Sequence, residues 1–352
     1  MFNLIDAQRK IAPEAVLLID RRYTVLKEIY FSKTVGRRLL ANKLDLSERI
    51  VRNEIDFLKA ENLVVINPLG ITITDLGIEI LEALDEYVGQ IRGLSSMELL
   101  LEEAMDIKKV LIAPASCSGS NYALKELGKL AAKYFMDNIE ENSIVGLTGG
   151  YTLRAFADQV PKKSMPNLNV VPARGGVGEI LEIQSNTIVS KLAKKLDAPY
   201  KILQVPDDID EDIMARISMD AGIKAVYEYI KKIDTLVFGI GNAEDLSKRR
   251  NISTDLWMML REKGAVAESF GYYFDIDGNT VYETGTVGIK LDEYKKMKNI
   301  IAVAGGSNKA EAILSISKIN KNLVLVMDED AAYKIMDILK ININSNSDGG
   351  TK

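Results

Sequence analysis

Four glycine-bearing segments carry the groups best suited to hold an anion: Gly146-Leu-Thr-Gly-Gly-Tyr-Thr152, Arg174-Gly-Gly-Val-Gly-Glu179, Gly239-Ile-Gly-Asn242 and Gly305-Gly-Ser-Asn-Lys309. Three of the four precede an expected helix start, where free backbone N–H groups and the positive helix end favour phosphate. Thr148, Thr152, Ser307 and Asn308 add hydrogen-bond donors, while Arg174 and Lys309 add positive charge. One such turn reads more readily as simple chain reversal. Their recurrence at successive strand ends, beside two cations, points to a phosphorylated ligand. None is the Walker pattern GxxxxGK[ST], and Gly239-Ile-Gly241 lacks the third glycine of GxGxxG, so a nucleotide-dependent dehydrogenase is disfavoured.

A second set of residues suits nucleic acid. Ser47 can cap a helix running to about Glu61, with Glu48 in its first turn. Ile50, Val51, Ile55 and Leu58 then share an inner face, which leaves Arg49, Arg52, Asn53 and Asp56 outside. Outward arginines and an asparagine match base edges in a major groove. Arg21, Arg22, Lys33, Arg37, Arg38, Lys43 and Lys59 would surround this reader and meet phosphates. From Arg21 to Lys59 there are 10 basic and 5 acidic residues. An ordinary solvated helical surface, or a protein-binding module, is the competing reading.

Other chemistries are closed. The 352 residues include no histidine, which removes imidazole acid–base chemistry, histidine-built zinc sites and Ser-His-Asp or Cys-His machinery. No metal site and no cofactor is expected. Cys117, the single cysteine, has no internal disulfide partner. Residues 1–67 hold 12 Lys and Arg against 9 Asp and Glu, whereas 68–352 hold 33 against 41, so a basic head precedes an acidic body. No apolar run approaches the roughly 18 residues of a membrane span. The N-terminal segment lacks the features of a secretory signal, so no membrane partner and a cytoplasmic location are expected.

The elements that must position these groups follow from periodicity. Helices over Pro13–Ser32, Gly36–Leu44 and Ser47–Glu61 lead into a hairpin of Leu63–Ile66 and Ile71–Ile73, turning at Asn67–Gly70. Three helices closed by a hairpin predict a winged helix-turn-helix. Thr74 caps a connecting helix whose stripe of Ile78, Leu81, Leu84, Tyr87, Val88 and Ile91 must be buried. Two readings remain open: a pairing with a second copy, giving a homodimer, or packing on the chain's own second domain. Gly93–Ser96 interrupts the pattern before a helix over Met97–Met105. The expected division is 1–90 for the DNA-binding head with its connecting helix, 91–340 for a ligand-binding domain and 341–352 for a disordered tail.

Within the second domain, strands are expected at Val110–Ala113, Ile144–Leu147, Asn169–Pro172, Lys201–Val205, Leu236–Phe238, Ile300–Ala304 and Leu323–Met327. Helices are expected at about 121–137, 152–160, 186–196, 210–230, 253–262, 308–318 and 330–340. The alternation predicts an α/β, Rossmann-like, mostly parallel sheet with helices on both faces. Ala265–Tyr282 reads as a hairpin excursion around Asp277-Gly278-Asn279.

These segments resemble the SorC/DeoR-like family of sugar-sensing bacterial transcriptional regulators. Leu26–Leu40 and Leu46–Lys59 look like that family's DNA-binding head. Thr148-Gly-Gly-Tyr-Thr152, Pro172-Ala-Arg-Gly-Gly176, Gly239-Ile-Gly241, Arg249-Arg250 and Gly305-Gly-Ser-Asn-Lys309 resemble its effector domain in order, over about residues 15–340. The resemblance implies a repressor of a glycolytic operon, relieved by fructose 1,6-bisphosphate or a related phosphorylated sugar. It also implies an effector domain similar in fold to sugar-phosphate isomerases and deaminases. Carried over, Thr148, Gly149, Gly150 and Thr152 hold one phosphate, and Arg174, Arg250, Glu268 and Lys309 serve the rest of the ligand. Arg37, Arg38, Ser47, Arg49, Arg52, Asn53 and Lys59 face double-stranded operator DNA, bound as a homodimer or as a tetramer. Tyr151 departs from the hydroxyl residue expected after the glycine pair. The alternatives are a sugar-phosphate enzyme using Glu179, Glu268 or Lys309, which the missing histidine disfavours, and a protein-binding adaptor.

Overall fold

In the computed structural model, residues 4–114, 121–176, 180–205, 216, 219–250, 252–285 and 287–341 are described. The chain divides between Ser96 and Met97. The first unit holds α1 (Leu4–Ile11), α2 (Pro13–Ser32), α3 (Arg37–Leu44) and α4 (Glu48–Ala60). Ser47 Oγ caps α4 by accepting from Ile50 N at 3.3 Å. β1 (Val64–Asn67) and β2 (Gly70–Ile73) then pair antiparallel, and Val35 bridges to Ile71 as a short third edge. Leu26, Ile29, Leu40, Val51, Ile55, Leu58 and Ile71 close one core, completing the winged helix-turn-helix that the periodicity predicts. α1 lies outside the expected elements, because its Leu4 and Ile11 face solvent at 72% and 84% exposure and blur its pattern.

Thr74 Oγ1 accepts from Gly77 N at 3.0 Å and starts α5 (Asp75–Ile91). Part of the apolar stripe of α5 is covered from within the same unit, and Ile78, Leu84 and Tyr87 stay half-buried. Leu81 and Val88 join the core beneath α2, while Ile91 packs with Ile5 and Val16. Tyr87 Oη donates to Gln8 Oε1 at 2.7 Å. The chain's own first two helices supply this cover.

After α6 (Leu94–Met105), which starts three residues before the expected helix, comes the α/β unit. Its sheet is wholly parallel, in the order β3 (Lys109–Ala113), β12 (Leu323–Asp328), β11 (Asn299–Val303), β6 (Thr235–Gly239), β4 (Ile144–Leu147), β5 (Asn169–Pro172). Val145, Leu147, Val170, Val237, Ile301, Val303, Val324 and Val326 face a core shared with α7 (Asn121–Asn138), α8 (Tyr151–Gln159) and α9 (Ser185–Leu196). The alternate residues Leu236, Phe238, Ile300, Ala302 and Leu325 are buried too, with Phe238 against Phe270 and Tyr294. Burial on both faces explains why these strands read as continuous apolar runs. At the edge, β3 offers Val110 N to Glu102 Oε1 at 2.9 Å and Ile112 N to Glu98 Oε1 at 2.7 Å, both carboxylates coming from α6.

The expected excursion is a four-stranded antiparallel sheet, β10 (Thr280–Glu283), β9 (Tyr272–Phe274), β8 (Ala267–Ser269), β7 (Gly241–Asn242). Asp275 Oδ1 organises its turn by accepting from Asp277 N and Asn279 N, each at 2.9 Å. Lys201–Val205 is not a ladder strand. It runs extended beside β5 with one bridge, Tyr200 to Val170, and Asn186 takes both Leu203 N and Leu203 O at 2.9 Å. Of the helix expected over 210–230, the described element is Ala221–Ile230, capped by Asp220, which accepts from Gly222 N and Ile223 N. Helices Ala243–Arg249 and Leu291–Tyr294 are additions to the expected set. Cys117, Glu179 and residues 342–352 of the expected tail lie outside the described residues.

Candidate functional site

Because all six strands run the same way, the loops that follow them emerge on one edge. β4 leads outward to β5, whereas β6 starts beside β4 and leads the other way to β11 and β12. Such a reversal opens a crevice between the carboxyl ends of β4 and β6, where parallel sheets bind ligands. Thr148–Thr152 follows β4, and Gly239–Asn242 follows β6. The two are in contact: a Cβ on Gly239 would come within 3.3 Å of Thr152 Oγ1, and Gly239 N donates to Thr148 Oγ1 at 3.2 Å. Thr148 and Thr152 are both buried.

Three of the residues implied by the family resemblance meet in an ion triad. Arg174 Nη1 donates to Glu268 Oε1 at 2.8 Å, and Arg250 Nη2 to Glu268 Oε2 at 3.1 Å. Gly271 N adds a third donor at 3.1 Å. Burial pushes the Glu268 carboxyl up, but the Arg250 and Arg174 guanidiniums and these hydrogen bonds more than reverse this and hold it below the ordinary glutamate value. Two guanidiniums share this one carboxylate in a largely dry setting. A carboxylate held this way is not a proton-accepting base near neutral pH. The triad is tied to the crevice, since Glu268 pairs with Gly241 across β7 and β8, and Ser269 Oγ donates to Gly239 O at 3.0 Å.

The fourth loop is held by groups that the sequence reading does not single out. Gly306 N donates to both oxygens of Asp328, at 2.9 and 3.0 Å, and this fully buried carboxylate also caps the last helix through Ala331 N. Asn308 binds across to the β6 loop: its Nδ2 donates to Asp245 Oδ2 at 2.7 Å, and its carbonyl accepts from Asn242 Nδ2 at 2.9 Å. Lys309 follows at the N-cap of helix Ala310–Ser317. An aspartate at a strand end, opening a helix, was the available signal for Asp328.

Two loop amides expected to be free are occupied. Gly150 N donates to Ile183 O at 2.8 Å, and Gly306 N to Asp328. Those two amides are therefore already satisfied within the chain.

On the basic head, Arg37, Arg38, Arg49, Arg52, Asn53 and Lys59 are exposed, and the Ser47 hydroxyl serves as the α4 cap. Three of the cations expected to meet phosphates are instead tied internally. Arg21 and Arg22 clamp the buried Glu54 at 2.8 and 2.9 Å, and Lys43 pairs with Glu28 at 2.5 Å. Arg22 also stacks 3.3 Å from the centroid of Phe57. These charges fix α2 against α3 and α4, and the outer face of α4 stays exposed.

Residues 18–88 match the family described as CggR N-terminal DNA binding domain, and residues 90–337 match the Sugar-bind family of sugar-binding domains. The chain is 38% identical over 337 residues to the Central glycolytic genes regulator of Bacillus subtilis (strain 168), covering 96% of this chain and 99% of that one. This chain belongs to the SorC/DeoR family of sugar-sensing transcriptional regulators. A second relative, the Central glycolytic genes regulator of Priestia megaterium, is 36% identical over 96% of this chain and 99% of its own length. Among solved structures, a DeoR family transcriptional regulator from Listeria monocytogenes matches at a TM-score of 0.61 and 25% identity, over 68% of this chain and 98% of that one. The full-length sorbitol operon regulator SorC from Klebsiella pneumoniae shares the fold at a TM-score of 0.63 and 17% identity, over 90% of this chain and 98% of that one. As a SorC/DeoR regulator the chain is a DNA-binding transcriptional regulator. Among the described residues, no helix is long and apolar enough to cross a membrane.

Proposed function

We propose that this regulator represses central glycolytic genes and is released or modulated by fructose 1,6-bisphosphate or a related phosphorylated sugar. The observation that carries the reading is the near end-to-end similarity, 38% over 96% of the chain, to a protein named for control of those genes. Thr148, Gly149, Gly150 and Thr152 hold one phosphate at the β4–β6 crevice. Arg174, Arg250, Glu268 and Lys309 serve the rest of the ligand, with the guanidiniums able to make charge-assisted hydrogen bonds to phosphate oxygens. Arg37, Arg38, Arg49, Arg52, Asn53 and Lys59 meet operator DNA, and Ser47 sets the angle of α4. The head occupies residues 1–90 and the effector domain 91–340. The protein acts in the cytoplasm as a homodimer, or as a tetramer on DNA.

A ligand moves such a switch only by its unequal affinity for the two states. The deciding experiment is a DNA titration at fixed salt over the region upstream of the protein's own gene, repeated with a panel of sugar phosphates. Release by the bisphosphate in preference to monophosphates supports the reading. A monophosphate that binds about tenfold better overturns the bisphosphate assignment.

A further inference from the structure

The wing differs in chemistry from the helix it accompanies. Residues 62–74 contain no charged side chain, whereas the outer face of α4 carries Arg49, Arg52 and Lys59. At the tip, Leu69 is 87% exposed beside the exposed Pro68, and Val65 further down β1 is 50% exposed. An isolated leucine on a surface is ordinary, but this one stands at the end of a braced turn. Asn67 Oδ1 accepts from Leu69 N at 3.0 Å and Gly70 N at 3.1 Å, so neither amide is left for a phosphate. Gly70 lies at φ +143°, and a Cβ there would approach Val35 O to 2.9 Å. Val35 and Ile71 exchange both backbone bonds, at 3.1 and 2.9 Å, and pin the hairpin to the head.

We propose that the wing tip is an apolar wedge for the minor groove of the operator flank, with Leu69 as its specificity-determining residue. It goes beyond the proposed function, resting only on the DNA-binding role that family membership gives. The groove is the occupant that fits. Specific protein interfaces bury about 1,200–2,000 Å², far more than a tip of two side chains offers. A minor groove only about 6 Å wide admits a single leucine-sized wedge. The hairpin also leaves α4 after three residues, so a reader helix in the major groove carries the wing to the neighbouring groove. Without cations the wedge cannot draw on phosphate attraction. It senses the width and floor of the groove, where the exocyclic amino group of guanine obstructs an apolar side chain.

The test uses the full chain and duplexes enriched by it from a random-sequence pool, with flanks built in three versions. A·T and inosine·cytosine pairs present the same minor-groove floor, and G·C adds the amino group. The parent should bind the first two alike and the third more weakly. Leu69→Ala should lose about tenfold in affinity and lose the flank preference, with an unchanged salt slope, and Leu69→Met should keep both. Equal affinity and equal flank preference in parent and Leu69→Ala overturn the wedge while leaving DNA binding intact. An altered oligomer in sedimentation with unaltered DNA affinity also overturns it, by assigning the tip to a second copy. Failure of the parent to enrich any duplex overturns both the wedge and the DNA-binding role.

Discussion

Arg174 Nη1 stands 2.8 Å from Glu268 Oε1, and the two side chains are only 4% and 5% exposed. Their elements are 94 residues apart in the chain, so the pair fastens the end of β5 to the small antiparallel sheet. Removing one partner of a buried ion pair strands the other. Glu268→Gln should therefore cost about 3–5 kcal/mol of stability in denaturant unfolding, more than loss of an exposed pair would cost. A change of less than about 1 kcal/mol would show that the two arginines do not depend on this carboxylate.

The same pair makes a pH prediction. The Glu268 carboxyl sits below its ordinary value of 4.5 in the folded chain, so the folded state binds its proton less readily than the unfolded state. Its contribution is complete above that ordinary value and is lost as pH falls through the depressed one. Melting temperatures recorded downward from pH 6 should fall less steeply in Glu268→Gln than in the parent. Parallel curves would remove Glu268 from the acid limb.

Lys309→Ala should produce a super-repressor: operator affinity without effector stays near that of the parent, while release by fructose 1,6-bisphosphate shifts to higher concentration. Arg174→Ala is the less clean variant, because it also leaves Glu268 with one of its two guanidiniums. Parent-like release in operator titrations of Lys309→Ala would take this lysine out of the effector site.

Arg52 is exposed on the outer face of α4. Arg52→Ala should lose about 1–3 kcal/mol on the selected operator and much less on random DNA. Equal losses on both would make it a phosphate contact.

Leu81 on α5 is 5% exposed, and its cover is α2 of the same chain. Leu81→Ala should cost about 2–5 kcal/mol, by a shift in the unfolding midpoint that does not depend on protein concentration. A penalty that grows on dilution would mean that a partner subunit supplies the cover.

What could be read from the sequence was mostly local. Ser47 and Thr74 announce their helices because a hydroxyl cap acts within three residues, and the glycine loops reveal themselves as punctuation after apolar strands. The exposed face of α4 follows from spacing alone. Glu54 escapes notice because its burial is compensated by Arg21 and Arg22, more than thirty residues earlier. The Arg174–Glu268–Arg250 contact is equally remote, and only the family resemblance brought its three members together. Lys201–Val205 has strand composition, yet Asn186 takes the backbone bonds of Leu203 that a neighbouring strand would need. The part of the α5 cover that α1 supplies was not legible because α1 turns two of its own apolar residues to water.

A parallel sheet that ends in an open strand is a template on which further chains can polymerise. β3 is such an edge, and Glu98 and Glu102 already occupy the outward N–H groups of Ile112 and Val110. An incoming strand would have to displace two charge-assisted bonds and then lie against two carboxylates. α6 thus serves as a gatekeeper against amyloid-like growth. That protection exists only once α6 has docked, so a nascent chain is most prone to aggregate in the interval between forming the sheet and seating this helix.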